Sequence, residues 1–437
     1  MNATQWKGQK AWALKKSTSH KMECHCAKPP AKCGQLAVWG GFVMDWMLAL
    51  MLVLSGAAAL AQSRVDRPDD TRAGQWLTLA PMQTARSRHT ATLLEDGSVL
   101  VVGGMLPGKR YQPARSHASA ELYVPAQDTW IPLPDMEVAR LFHTATRLQD
   151  GRVLVVGGVA DTRSTAVQAE LYEPERRQWL IVDSSATQQR VMHAAVLLHD
   201  GRVLVMGGAQ PQGGRPVALN SAELYDPQQR RWLPAAAMHE ARMLHTAIIL
   251  ADGRVLVVGG VTIQGNMEIA LSHAEIYDPI QNVWQPAGEM FDSRYMHAAT
   301  LLEDGAVLVA AGMGTRQSQA QTSRPEIRNT AELYRGASVW DVSGFLLEPR
   351  SEHTASLLRD GRVWIVGGGT PVMRVNAPLA SVEVYDPVAR RWGVGAAMTQ
   401  ERMGHSATVL SDGRLLVVGG ESLSGGLSSV EALTLEP

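Results

Sequence analysis

Short apolar runs alternate with polar punctuation along most of the chain, in a unit that returns seven times. It is cleanest from Ala241 to Trp284, which reads ARMLHTAIILADGRVLVVGG, a loop, then SHAEIYDPIQNVW. Its histidine recurs at His89, His143, His193, His245, His297, His353 and His405, at spacings of 50 to 56 residues by subtraction. A period of that length marks a radial or stacked array. In each unit an acidic-glycine step, such as Asp96-Gly97, Asp150-Gly151 or Asp252-Gly253, lies between two apolar runs and supplies the positive φ angles of a tight hairpin. The second run, Val255 to Val258 in the fourth unit, is apolar at every position, as expected of a strand covered on both faces. It ends in paired glycines, where a side chain would block close approach. After a loop, Ala-Glu-Leu-Tyr-Asp-Pro predicts a third, alternating strand and a turn, and a tryptophan opens a fourth.

Four short strands repeated seven times, with diglycine, tyrosine and tryptophan at fixed offsets, resemble the kelch repeat, the blade motif of kelch and galactose-oxidase-type β-propellers. The resemblance covers residues 74 to 435, and in the fourth unit it rests on Arg242, Gly259, Gly260, Tyr277 and Trp284. It implies an all-β fold, a seven-bladed propeller of four-stranded antiparallel blades. A linear stack of the same units would leave sheet edges and apolar faces open at both ends, whereas radial closure protects them. The segment Trp76 to Met82 matches a fourth strand without its first three, and Ser429 to Leu435 matches a third strand with no tryptophan after it. The two fragments complete each other, so the N-terminal strand is expected to close the last blade, with Trp76 buried there.

The chain begins differently. All of Lys7, Lys10, Lys15, Lys16, Lys21, Lys28 and Lys32 precede residue 35, while Lys109 is the lone lysine after residue 62. Cys24, Cys26 and Cys33 fall in the same stretch; it reads as a dispensable leader or, on the cysteines alone, as a metal knuckle. Trp46 to Ala61 is an apolar run of 16 residues ending in Ala59-Leu60-Ala61, a small-x-small pattern. It reads as a secretory signal peptide within a 1–61 leader, cut after Ala61, and the alternative is an uncleaved anchor. Residues 62–73 are polar and aperiodic and read as a linker before a 74–437 propeller. The expected product is secreted, periplasmic or extracellular, has no cysteine and keeps no membrane span after cleavage.

Charge narrows the partners. The leader's seven lysines against Glu23 and Asp45 make +5, so a chain of net charge −1 leaves about −6 for the rest, which is no general nucleic-acid binder. Antiparallel strand order puts the loops between second and third strands on one face with the blade-to-blade connections, and the Asp-Gly turns on the other. The first face carries long, dissimilar loops, which on a rigid scaffold are where recognition usually resides. It also carries an arginine three residues before each histidine: Arg86, Arg140, Arg190, Arg242, Arg294, Arg350 and Arg402. Each third strand has a glutamate: Glu121, Glu170, Glu223, Glu275, Glu332, Glu383 and Glu431. Seven unpaired cations around one mouth would repel, so the economical reading pairs arginine, histidine and glutamate structurally. The functional reading makes those arginines ligand-binding, a basic mouth for a carboxylate or sugar acid. Loop arginines Arg110, Arg316, Arg324, Arg328 and Arg374 join them as ligand-binding candidates. The fifth unit departs furthest from the repeat, with Ala311-Gly312 for diglycine, Arg335-Gly336 for Asp-Pro and the longest loop.

No metal, cofactor or catalytic constellation is expected. Equivalent histidines around seven blades cannot converge within the roughly 2.0–2.3 Å that zinc or copper ligands need. Galactose oxidase, as the resemblance would have it, uses copper with a tyrosine cross-linked to a cysteine, and no cysteine follows Cys33. The expected function is a monomeric binding module whose long-loop face holds an anionic protein or glycan partner. The alternative is an enzyme resembling the kelch-type sialic acid mutarotases, which would need unrepeated acid-base residues at the mouth.

Overall fold

A computed structural model describes residues 74–435 except 107–114, 162–163, 166–168, 183–187, 213–214, 266, 318–322 and 373–374. The leader, its cysteines and the linker lie outside the described residues. Seven four-stranded antiparallel sheets form the blades. Blade 4, for example, runs Thr246–Ile249, Val255–Val258, His273–Asp278 and Val283–Glu289 from the axis outward. In blade 7 the strands Ser406–Val409, Leu415–Val418 and Val430–Thr434 come from the C-terminal end, and Gln75–Leu79 supplies the outer strand. Trp76 lies opposite Leu433 there, so the N-terminal strand closes the last sheet. Trp76 is half-buried instead of buried, and Leu433 stands opposite it where the other blades have a tyrosine.

The second strand is apolar at every position because it has two neighbours. Leu256 and Val258 pack with Val307 and Val309 of blade 5, while Val255 and Val257 pack with Leu204 and Met206 of blade 3. The core is thus a set of layers between adjacent blades, which is how a chain this long stays packed without one large interior. Glycine pairs end these strands because the next blade's entry presses on the first glycine and the blade's own histidine segment presses on the second. A Cβ on Gly259 would lie 2.4 Å from the Arg294 carbonyl oxygen, and one on Gly260 would lie 2.9 Å from the His245 Cβ. Blade 5 breaks this rule with Ala311, buried at φ 57°, a conformation that strains any residue with a Cβ.

Six blades stack the tyrosine of the third strand on the tryptophan of the fourth, with ring centroids 5.0–5.2 Å apart. The indole N–H usually reaches back across the seam: Trp130 to the Ala80 carbonyl, Trp284 to Ala236 and Trp76 to Ala396 at 2.7–2.8 Å. The loops between second and third strands are themselves paired. Each folds into a two-stranded hairpin, such as Val261–Gln264 with Met267–Ala270 in blade 4 and Met313–Gln317 with Ser323–Ile327 in blade 5. These hairpins crown the face opposite the Asp-Gly turns.

Candidate binding face

The repeat arginines come first, since their fate decides what the mouth offers. All seven are fully buried. Arg294 shows the pattern: Nη2 donates to Glu332 at 2.6 Å and Nη1 to the Ala311 and Thr330 carbonyls at 2.9 Å. In the other blades the distance from arginine to its glutamate is 2.5–2.9 Å. The same glutamate also accepts from the backbone of the incoming connection, as Glu121 does from the Gln83 N–H at 2.7 Å and Glu332 from Phe291 at 2.7 Å. Each pair therefore stitches the previous blade's exit to the next blade's hairpin base. Burial is the largest influence on the Glu275 carboxyl and pushes it up, but the His239 N–H and the Arg242 guanidinium hold it below its ordinary value. Arg86, Arg140, Arg190, Arg242, Arg294, Arg350 and Arg402 thus do not line an open mouth, which corrects the ligand-binding reading of these residues.

The histidines take no part in those pairs. Each packs across a seam, and in five cases its Nε2 shares a hydrogen bond with the residue after the previous blade's histidine: His143 with Thr90, His193 with Thr144, His297 with Thr246, His405 with Thr354 and His89 with Ser406, at 2.8–3.1 Å. Ala194 and Ala298 stand where the hydroxyl would be for His245 and His353, whose Nε2 atoms are buried without a hydrogen-bond partner. Burial, helped by the nearby Arg140, depresses His143 to about 3; burial with Arg242 and with Arg350 does the same for His245 and His353. All are neutral at physiological pH.

The residue before each histidine forms the innermost ring. At six of the seven positions its N–H donates to the carbonyl of the corresponding residue in the preceding blade, as in Leu244 to Met192 at 2.9 Å and Met296 to Leu244 at 3.1 Å. The ring is two-sided: Phe142, Met192, Leu244 and Met296 are apolar, while Arg88, Glu352 and Gly404 are not. Arg88 pairs with Glu352 at 2.8 Å and Glu421 at 2.9 Å, joining blade 1 to blades 6 and 7. Burial opposes its charge, but the two carboxylates outweigh that and raise the guanidinium above its ordinary value. Sequence reasoning missed this group, although the break from apolar residues at one fixed offset before histidine would have exposed it.

Arg316 and Arg324 are exposed and face each other directly across the blade 5 hairpin. No carboxylate meets either one among the described residues. Arg328 is different: it takes the place that leucine holds in blades 3 and 4, beneath the same hairpin, and reaches Glu326 at 3.3 Å and Asp292 at 3.9 Å. Arg115 of blade 1 is exposed as well. Arg110 and Arg374 lie outside the described residues.

A family model described as the kelch motif matches residues 351–399. Kelch-like protein 23 of Homo sapiens is 26% identical over 230 residues, 52% of this chain and 37% of that protein. Beta-scruin of Limulus polyphemus is 27% identical, across 48% of this chain and 23% of its own length. The chain thus matches well under half the length of these relatives. Among solved structures, a fungal alcohol oxidase of the AA5 family in complex with copper superposes with TM-score 0.63 at 16% identity, over 83% of this chain and 76% of that one. A second structure, YjhT, gives 0.54 at 15% identity, over 73% of this chain and 99% of its own. Among the described residues there is no group of three or more His, Cys, Asp or Glu that could hold a metal ion. The ring histidines spend Nε2 on seam hydroxyls or lie buried within the wall. With seven blades of the expected make-up and these matches together, the chain is a kelch-repeat β-propeller.

Proposed function

We propose that the chain is an exported, monomeric binding module that holds an anionic protein or glycan partner on its hairpin-crowned face. The observation carrying this reading is the division of labour among arginines on that face. The repeat guanidiniums are consumed by glutamates, whereas Arg316 and Arg324 stand exposed and opposed with no carboxylate between them. Like charges directly across a strand pair cost stability, and one carboxylate, sulfate or phosphate bridging both guanidiniums would reverse that cost. Export rests on the apolar run ending at Ala59-Leu60-Ala61, and N-terminal sequencing of the secreted protein should begin near Gln62. The sugar-acid enzyme is the weaker reading: Arg88 and Glu352 of the innermost ring, with Glu421, pair with one another.

The test is a binding measurement with a heparin oligosaccharide, polyglutamate and neutral dextran. The anionic probes should raise the melting temperature through native-state binding, and dextran should not. Binding should weaken on replacing Arg316 and Arg324 and persist on replacing Arg152 and Arg254 of the Asp-Gly face. The opposite ranking of the two faces overturns the proposal.

A further inference from the structure

Blade 5 carries an exposed apolar patch on its outer rim. Phe291, Val342 and Phe345 are 75%, 52% and 53% exposed, and hydrogen bonds and strand register gather them on one side of the blade. The Phe291 N–H donates to Glu332 at 2.7 Å, and Glu332 lies directly opposite Val342 of the outer strand. The next residue, Asp292, accepts from the Thr330 hydroxyl at 2.6 Å, and Thr330 lies directly opposite Phe345. Opposed residues of an antiparallel pair share a face. Val342 and Phe345 therefore stand on the face that Glu332 and Thr330 turn toward the Phe291-Asp292 connection.

None of the three belongs to the repeat. The N–H that Phe291 offers its glutamate comes elsewhere from Gln83, Glu137, His239 and Thr399, and blade 4 has Glu289 in the register of Phe345. Where Val342 stands, blades 1, 3 and 4 have Pro132, Pro234 and Pro286, each opposite its own glutamate. Proline guards an outer strand because it leaves no donor on the free edge. In blade 5 the Arg335 N–H donates to the Val339 carbonyl at 3.0 Å, and alternation from that bonded pair turns the Val342 N–H and carbonyl away from the sheet. This edge thus keeps a backbone donor that the prolines remove. The patch also adjoins the hairpin arginines: Arg328 reaches Asp292 at 3.9 Å, and Arg324 stands four residues further up the hairpin strand, about 13 Å at strand rise.

We propose that blade 5 binds an extended polypeptide segment of the partner. An apolar stretch of it adds to the outer strand at Val342 and covers Phe291 and Phe345, and the acidic residues that follow reach Arg324 and Arg316. This rests on the anionic-partner reading and decides its class, protein over glycan. Exposed aromatic side chains beside arginines have the make-up of protein-binding hot spots, and a free strand edge is matched by another backbone. A sulfated glycan would meet the arginines, but it offers no backbone to the edge and no apolar side chain to the phenylalanines.

The experiment uses the full chain, a heparin oligosaccharide and three synthetic peptides. The first peptide joins a run of glutamates to alternating valine and phenylalanine; the second has serine for valine and phenylalanine, and the third has lysine for glutamate. Calorimetry should show saturable binding of the first, with the serine and lysine peptides each at least about tenfold weaker. Phe291→Ser with Phe345→Ser, both at exposed sites, should bring the first peptide down to the affinity of the serine peptide and leave heparin binding unchanged. Val342→Pro, a residue that blades 1, 3 and 4 carry in the same register, should weaken the first peptide at least about tenfold while the protein melts as wild type does. A serine peptide that binds as tightly as the first, or undiminished binding by either variant, would overturn this inference while heparin binding still supports the anionic reading. A lysine peptide that binds as tightly, together with absent heparin binding, would overturn the anionic reading itself. A dimer in sedimentation that the serine variants dissolve would also overturn the inference, because the patch would then belong to a second copy.

Discussion

Arg294 and Arg316 stand on the same blade and the same face, 22 positions apart by subtraction, and have opposite surroundings. Arg294 is fully buried and donates to Glu332 and to the carbonyls of Ala311 and Thr330. Arg316 is exposed and stands opposite Arg324 across the hairpin. The difference follows from repetition. A residue present in every blade answers a need every blade has, here tying the incoming connection to the hairpin base. A residue present in one blade can also serve the architecture, as Arg88 does with Glu352 and Glu421, but Arg316 has no such carboxylate among the described residues.

The largest effect should come from breaking the repeated group. Arg294→Ala leaves Glu332 buried without its cation and should cost about 3–5 kcal/mol in urea unfolding, the usual loss when one partner of a buried pair is removed. A cost under about 1 kcal/mol would mean that the pair is no more than a surface salt bridge.

The closing seam is next. Trp76→Ala removes a half-buried ring and its bond to the Ala396 carbonyl, and should cost about 3 kcal/mol, the low end for a large aromatic deletion. An unfolding midpoint equal to wild type would show that Gln75–Leu79 is dispensable to closure.

Acid should unlock the seams. Buried histidines held near 3 in the fold but near 6.5 when unfolded bind fewer protons in the native state between those limits. Stability is then fully present above about pH 6.5 and falls as pH drops below it, by up to about 1.4 kcal/mol per pH unit for each such histidine. Unfolding free energies that stay flat from about pH 7 to 5 would contradict the neutral, buried seam.

A smaller gain should come from completing the ring. Ala194→Thr offers His245 the hydroxyl that Thr90 gives His143, and should add about 1 kcal/mol, one hydrogen bond's net worth. No gain, or a loss, would show that the hydroxyls fill space without bonding.

Nearly all of the scaffold was legible because it is carried by residues at fixed offsets. The Asp-Gly turns, the glycine pairs and the tyrosine-tryptophan steps each answer a local steric need, and local needs repeat. The split strand was legible for the same reason, since Trp76 to Met82 and Ser429 to Leu435 are each half of a known unit. Seam bonds were not. His143 and Thr90 are 53 positions apart, and nothing in their immediate neighbours announces the contact. The two-sided mouth was hidden differently: Arg88 and Glu352 are isolated departures at an offset whose neighbouring histidine repeats in every blade. The fifth unit's irregularities did carry information, since Ala311 is strained and the long loop bears the opposed arginines.

The most direct test of the division between repeated and unrepeated arginines is to replace Arg316 and Arg324 together with alanine. Unfolding free energy and affinity for a heparin oligosaccharide would then be measured on the same preparation. The account predicts stability within about 0.5 kcal/mol per site of wild type, or slightly higher as the opposed charges are relieved, with affinity lost. A double variant that binds the oligosaccharide as wild type does, or that is destabilised as severely as Arg294→Ala, would contradict it.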